Sequence, residues 1–396
     1  MVGRSVGRHP HLVGAWIAVA VMLLLLAAQN ARAAPTGIGV NYLTGEGVDQ
    51  LNCDASNTAQ IAKDMAELKS LGTIKWVRIE TAMTAVSGLP NPPSCPRPAH
   101  EFDNLQNLLA GIASIGAQPI LDILEWHYTP ALEAPYAAWL DRLLAAAPGI
   151  AVFELADEEN LSVRVESYRG ANPNQEPYGW DFDPHDFANN DAVGLCPKDT
   201  AKASNLDAAV KTYVAWLKAS DAIIKTKNRH ATVMLGGLSS WQAQCWLEKL
   251  GALHAERYAD AIGYHPYPRY AETAPDAAAT LDTLTQAMAR WSNRLPIWVT
   301  EFGFTTSSAF GGSAVPDEAT KAQDIAQEVE LLRQSLSGPI VMYTARDGAL
   351  TAAEWAQQCP GQSCPGGMGG FGLFEWDDGV LTVEPAAAAF AEEGAP

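Results

Sequence analysis

The 396-residue chain is 48% hydrophobic and 18% charged, which excludes disorder, collagen-like repeats and coiled coil and leaves a globular fold with a sizeable core. Its 26 Lys and Arg stand against 45 Asp and Glu, a net charge of −19 at pH 7. So negative a surface repels phosphate backbones, and nucleic acid is excluded as a partner.

Taken in chain order, the first element is a leader. Arg4 and Arg8 precede an uncharged apolar run from Leu12 to Ala28, and Ala31-Arg32-Ala33 supplies small residues where a signal peptidase reads. This pattern predicts a secretory signal over 1–33 and a mature chain from 34 to 396, secreted or periplasmic. The run has 17 residues, barely enough to span a bilayer, so an uncleaved anchor is the alternative and membrane contact is expected only in that case. Cleavage removes three Arg and no acid, which makes the mature chain more acidic still. Six cysteines follow, Cys53, Cys95, Cys196, Cys245, Cys359 and Cys364. An even number in an exported chain reads as disulfides, with Cys359 and Cys364 the most plausible local pair and 15 connectivities open in all.

Downstream, one pattern repeats: a short apolar strand, a polar or Gly/Pro-rich loop, then an amphipathic helix. The strands are expected at 37–42, 76–80, 118–124, 151–155, 232–238, 259–264, 297–300 and 340–343. Helices are expected at 58–71, 104–115, 136–146, 203–225, 277–292 and 318–336. Such alternation implies parallel strands with helical crossovers. Eight units fit one (β/α)8 barrel, an α/β fold, better than an open sheet with a Gly-rich phosphate loop, which the sequence lacks. Two connections are long: 162–200, with Tyr168, Tyr178, Trp180 and Phe182, and 344–380, which is rich in Gly. Loops of that length build lids or binding walls, and in a barrel those that follow strands open on one face.

Two acids stand just after buried strands. Phe153-Glu154-Leu155-Ala156-Asp157-Glu158-Glu159-Asn160 ends the fourth strand, and Ile297-Trp298-Val299-Thr300-Glu301-Phe302-Gly303 the seventh. Two carboxylates facing across a pocket are what glycosidic cleavage needs, one to protonate the leaving oxygen and one to attack the anomeric carbon or activate water. The structural alternative for each is an ion pair with Arg or a helix cap.

These segments resemble a family. Glu154-x-x-Asp157-Glu158-Glu159-Asn160 is similar to the Glu-x-x-Asn-Glu-Pro-Asn sequence of clan A glycoside hydrolases, and Trp298-Val299-Thr300-Glu301-Phe302-Gly303 to their strand-seven segment. Asp260 to Pro268 resembles strand six and Val77-Arg78-Ile79 strand two, with the family 39 and family 5 types nearest. The resemblance implies a retaining hydrolase of a poly- or oligosaccharide, acting as a monomer without cofactor or metal. Glu158 would be the acid/base, Glu301 the nucleophile, and the covalent intermediate would form on Glu301. Tyr267 would donate a hydrogen bond to Glu301, Arg78 would hold it ionised, and His265 would face the sugar. Asp157 stands where the family has Asn, which bears on the sugar hydroxyl next to the reacting carbon, and Glu159 stands where it has Pro. No Trp platform is evident at strand eight, where Tyr343 opens Tyr343-Thr344-Ala345-Arg346. Trp126, Trp180, Trp241 and Trp376 are candidate stacking surfaces.

Three other readings are open. A carbohydrate-binding barrel without turnover shares every feature above. A serine hydrolase is suggested by Gly236-Gly237-Leu238-Ser239-Ser240, but Trp241 replaces the second Gly of an elbow. A metal-dependent hydrolase would need clustered ligands, which the spacing of His100, His127, His185, His254 and His265 does not offer.

Overall fold

The computed structural model describes residues 37–42, 57–72, 74–83, 100–124, 128, 130–160, 200–239, 243–267, 281–282, 284–306, 317–336, 338–346, 370–377 and 380–394. The chain divides into Met1–Pro35 and Thr36–Pro396, and all described residues belong to the second unit.

Eight parallel strands close into a barrel in sequence order, β1 (Ile38–Asn41), β2 (Ile74–Thr81), β3 (Gln118–Ile123), β4 (Val152–Asp157), β5 (Thr232–Ser239), β6 (Ala261–His265), β7 (Ile297–Val299) and β8 (Ile340–Met342), with β8 paired back to β1. Outside it lie α1 (Thr58–Ser70), α2 (Asp103–Ser114), α3 (Glu133–Ala146), α4 (Thr200–Lys227), α5 (Ala243–Ala252) and α6 (Glu318–Ser335). Every predicted strand is present. Helix 277–292 is described only in part, as helical residues at 281–282 and 284–287 followed by a 3-10 turn, Met288–Arg290. Helix α5 was not anticipated.

Strand alternation sorts the side chains into two layers inside the barrel. Trp76, Ile120, Val152, Met234, Ala261, Trp298 and Val341 form an apolar plug, separate from the larger core between barrel and helices. Two residues further along the same strands stand Arg78, Asp122, Glu154, Gly263 and Thr300. Because side chains alternate with period two, these face the same interior one layer nearer the strands' C-terminal ends. The lower layer closes the barrel by apolar packing, and the upper layer is polar.

The expected loop 344–380 is corrected at its end. β9 (Phe374–Asp377) pairs antiparallel with β10 (Val380–Val383), and α7 (Pro385–Gly394) follows and packs on α6. Lys321 of α6 is buried and donates to Glu384 Oε2 at 2.5 Å and to the Gly372 carbonyl at 2.7 Å. A lone buried ammonium would be costly, so this pairing ties the segment before the hairpin to the helix layer. Residues 161–199 and the Cys359–Cys364 region lie outside the described residues. Cys245 on α5 is disulfide-bonded. Among the described residues, no helix is long and apolar enough to cross a membrane.

Candidate active site

Arg78 is the centre of the polar layer and is 0% exposed. Its Nε donates to Glu154 Oε2 at 2.5 Å, and Nη2 donates to Asp122 Oδ2 at 2.7 Å and Asp157 Oδ1 at 3.0 Å. Nη1 donates to Glu301 Oε1 at 2.6 Å and Asn41 Oδ1 at 2.9 Å, with Glu80 Oε1 at 3.5 Å. One planar fork thus holds carboxylates from three other parts of the barrel, β3, β4 and the end of β7, a task to which a point-like ammonium is poorly suited. Burial alone would discharge the guanidinium, but Glu154, Asp122, Glu301 and Asp157 together drive its pKa well above the ordinary value.

The turn after β4 is sharply bent. Ala156 and Glu158 both take left-handed backbone, φ 77° and 47°, conformations that side chains other than Gly adopt at a cost of about 1–3 kcal/mol. Compensation comes from β5: the Glu158 amide donates to the Gly237 carbonyl at 2.8 Å, and Asn160 exchanges two bonds with the Ser239 backbone at 2.9 and 3.0 Å. Asp157 and Glu158 are thereby turned toward the barrel axis and remain partly exposed.

Glu301 follows β7 by two residues. It is 7% exposed and accepts from Arg78 on one oxygen and from the Tyr267 hydroxyl on the other, at 2.9 Å. Its pKa is pushed up by burial, pulled down by His265, raised by Asp157, lowered by Arg78 and raised by Glu158, ending at about 7. The expectation that Arg78 keeps this acid ionised is therefore met in geometry, but burial offsets much of the effect. The Tyr267 hydroxyl is itself raised, by burial and then by the charge of Glu301, so it stays a donor.

His265 ends β6. Its ring is fully buried, with Nδ1 at 3.5 Å from both Glu158 Oε1 and Glu301 Oε2 and Nε2 at 3.8 Å from Asp157 Oδ1. Gly237 makes this possible, because a Cβ there would stand 2.0 Å from Nε2. Burial opposes charge on the ring, but Glu301, Glu158 and Asp157 raise its pKa to about 9. The two candidate carboxylates accordingly meet at one nitrogen of this ring, their oxygens within twice 3.5 Å of each other.

No family model and no curated protein matches the chain. Solved structures do. An exo-β-1,4-mannosidase of Opitutaceae bacterium strain TAV5 superposes on 92% of this chain with a TM-score of 0.57 at 15% identity. The match spans 59% of that protein's length. β-Glycosidase BGL167 aligns over 91% of this chain and 96% of its own, at 0.57 and 15%. The psychrophilic β-glucosidase BglU of Micrococcus antarcticus aligns over 91% and 96%, at 0.56 and 11%. The fold is that of the glycosidase barrels.

Within the barrel the remaining expectations divide. Tyr343, after β8, is buried and meets Phe371 edge-on at 5.5 Å and Tyr267 at 6.3 Å. Phe371, held by the segment that Lys321 anchors, was not anticipated in its Gly-rich surroundings and also meets Tyr267 edge-on at 6.1 Å. Trp126, Trp180 and Trp241 lie outside the described residues. Glu159 is buried against β5, where a Cβ on Gly236 would lie 2.5 Å from its Oε2. Both of its oxygens are buried without a hydrogen-bond partner among the described residues, and burial raises its pKa to about 8.

Sequence reading also missed Asn41, Glu80 and Asp122 as members of the site. Their signal was available in the inward alternation of β2, Trp76-x-Arg78-x-Glu80, and of β3, Ile120-x-Asp122. Asp157, His265 and Glu301 bring one ligand atom each within 4.8 Å of one another. That is the donor set of a small metal site, but Arg78 already donates to both carboxylates, and the sequence reading expected no metal here.

Proposed function

We propose that the protein is an exported glycoside hydrolase that cleaves O-glycosidic bonds of an oligo- or polysaccharide with retention of configuration. The observation that carries this reading is the Glu301 carboxylate, which accepts from Arg78 on one oxygen and from Tyr267 on the other while Glu158 shares the His265 Nδ1 atom with it. In the first half-reaction Glu301 attacks the anomeric carbon and Glu158 protonates the departing oxygen. In the second, Glu158 takes a proton from water, which releases the sugar from Glu301. Retention is favoured because Glu301, nearly buried and held on both oxygens by Arg78 and Tyr267, is placed as a nucleophile. Export rests on Arg4, Arg8, the apolar run and Ala31-Arg32-Ala33.

Two expected results follow. Glu158→Ala should lower kcat/KM by roughly two to four orders of magnitude for leaving groups that need protonation, and far less for activated aryl glycosides. Added azide should partly restore turnover of the latter. Equal loss across leaving groups would reject the acid/base role. Secondly, kcat/KM should fall as pH drops through about 7, because Glu301 is inert once protonated. His265→Gln removes a positive neighbour that lowers the Glu301 pKa, so the acid limb should move to higher pH. Asp157→Asn removes a negative neighbour that raises it, so the limb should move lower. The cluster titrates as a unit, so the limb is the reporter and not any one group. Two profiles that superpose on the parent's would contradict the assignment.

One observation favours a second reading, a barrel that binds sugar without cleaving it: Asp157, where a sugar contact was expected, is engaged by Arg78. Retained binding of oligosaccharide with no turnover of any glycoside would select that reading.

A further inference from the structure

Lys321 lies on the outer helix α6, is 0% exposed, and pairs with none of the acids of the polar layer. Among the described residues its polar partners are Glu318 three residues earlier, the Glu384 carboxylate at 2.5 Å and the Gly372 carbonyl at 2.7 Å. Gly372 stands just before β9 and Glu384 just after β10, and the Glu384 amide donates to the Leu373 carbonyl at 3.0 Å. The ammonium therefore clasps the base of the hairpin. A buried ammonium is costly even when paired, and an apolar residue of similar volume would pack α6 against the hairpin without that cost. What the Lys adds is a directed bond to one carbonyl, that of Gly372.

The residue before that carbonyl is Phe371. It stands between Gly370 and Gly372, with Gly366, Gly367 and Gly369 shortly before it. Glycine loses more backbone freedom on ordering than any other residue, so such a stretch has little preference of its own for one path. On its inner side the path is fixed by the ends of β7 and β8. The Thr306 amide donates to the Gly370 carbonyl at 3.3 Å, the Thr344 amide to the Phe371 carbonyl at 3.4 Å, and the Leu373 amide to the Thr344 carbonyl at 3.1 Å. On its outer side Lys321 holds it. Phe371 is 3% exposed, and its ring meets Tyr267 edge-on at 6.1 Å and Tyr343 edge-on at 5.5 Å. Gly303, two residues after Glu301, allows this approach: a Cβ there would lie 2.4 Å from the Tyr343 carbonyl oxygen and 3.2 Å from Phe371 Cδ1. The other rings against Tyr267 are His265 and Tyr343, both set by barrel strands. Phe371 is the one whose place depends on the hairpin.

We propose that Lys321 is a positioning residue for the reacting carboxylate: by fixing the Gly372 carbonyl it sets Phe371, Phe371 sets the Tyr267 ring, and the Tyr267 hydroxyl is thereby kept at 2.9 Å from Glu301. The inference rests on the glycosidase reading and extends its machinery to the helix layer. Lys321 meets no substrate, and its loss acts through Tyr267.

The test is a double-mutant cycle in the mature protein with its best aryl glycoside. Lys321→Met keeps the apolar stem and removes the donors. It is expected to lower kcat/KM by roughly tenfold to a hundredfold, mostly in kcat, because small misplacements remote from the chemistry disturb the reacting geometry. The acid limb should also move to higher pH, since a carboxylate that loses a donated hydrogen bond ionises less readily. Arg78, His265, Asp157 and Glu158, the charged groups around Glu301, are the same in parent and variant. A role in stability alone would leave that limb in place. In a Tyr267→Phe background Lys321→Met should cost about twofold or less, because the contact it acts through has already been cut. Additive losses, or a limb that does not move in Lys321→Met, overturn the proposal. If Lys321→Met fails to fold, Glu384→Gln and Phe371→Leu carry the same cycle. The first leaves Lys321 an uncharged acceptor and the second leaves the clasp whole. Each should move the limb the same way and lose its effect in the Tyr267→Phe background, and either failing to do so overturns the proposal. If no glycoside is cleaved the glycosidase reading fails, and the titration of Glu301, followed by carboxyl carbon NMR, decides the proposal. A midpoint raised alike in the clasp variant and in Tyr267→Phe, and no higher in their combination, supports it. A midpoint unmoved in the clasp variant overturns it.

Discussion

Replacing Glu301 by Ala is expected to lower turnover by roughly four to six orders of magnitude while the protein stays folded. A nucleophile has no substitute within reach, because the nearest carboxylates are Glu158, committed to proton transfer, and Asp157, committed to Arg78. The fold should survive, since the change removes one acid from an already over-acidic cluster and Arg78 keeps Glu154, Asp122 and Asp157 as partners. Unchanged thermal unfolding with lost activity identifies a chemical role. Comparable loss of both would make Glu301 a structural ion-pair partner instead.

Arg78→Leu should have the largest effect on stability. The substitution leaves buried carboxylates from β2, β3, β4 and the β7 end facing one another with no cation between them. Breaking one buried pair by removing a partner costs about 3–5 kcal/mol, and here several pairs go at once in a protein whose whole stability is of the order of 5–15 kcal/mol. The variant should fold only at acidic pH. The sign follows from the raised pKa values: groups such as Glu80 and Asp122 bind protons more tightly folded than unfolded, so stability is present below the ordinary carboxylate range and is lost as pH rises through the folded-state values. Arg78→Lys retains the charge but not the fork and should fall between the two. Urea unfolding followed across pH checks this, and an Arg78→Leu protein as stable as the parent at pH 8 would remove Arg78 from the centre of the site.

The barrel was legible because its strands are buried on both faces and read as apolar runs, and Glu158, Glu301, Arg78 and Tyr267 were legible because each follows or sits in such a run. Less visible was the set formed by Asn41, Arg78, Asp122 and Glu154. Each is a single polar residue inside an apolar strand, and only the register of the closed barrel brings them to one level. His265 was legible as a residue of its strand, but the space it fills is created by Gly237 on a neighbouring strand and shows only in the fold. The β9–β10 hairpin had a local signal, Asp378-Gly379 between Phe374-Glu375-Trp376-Asp377 and Val380-Leu381-Thr382-Val383, masked by the Gly-rich stretch before it.

The central claim, that Glu301 forms a covalent bond to the sugar, is tested most directly by trapping that bond. A 2-deoxy-2-fluoro glycosyl inactivator matched to the best aryl substrate slows both half-reactions and lets the intermediate accumulate. Peptide mapping by mass spectrometry should then find one sugar per chain, attached to Glu301, with the anomeric configuration of the normal product retained. A label on any other residue, or a product of inverted configuration, would contradict the account.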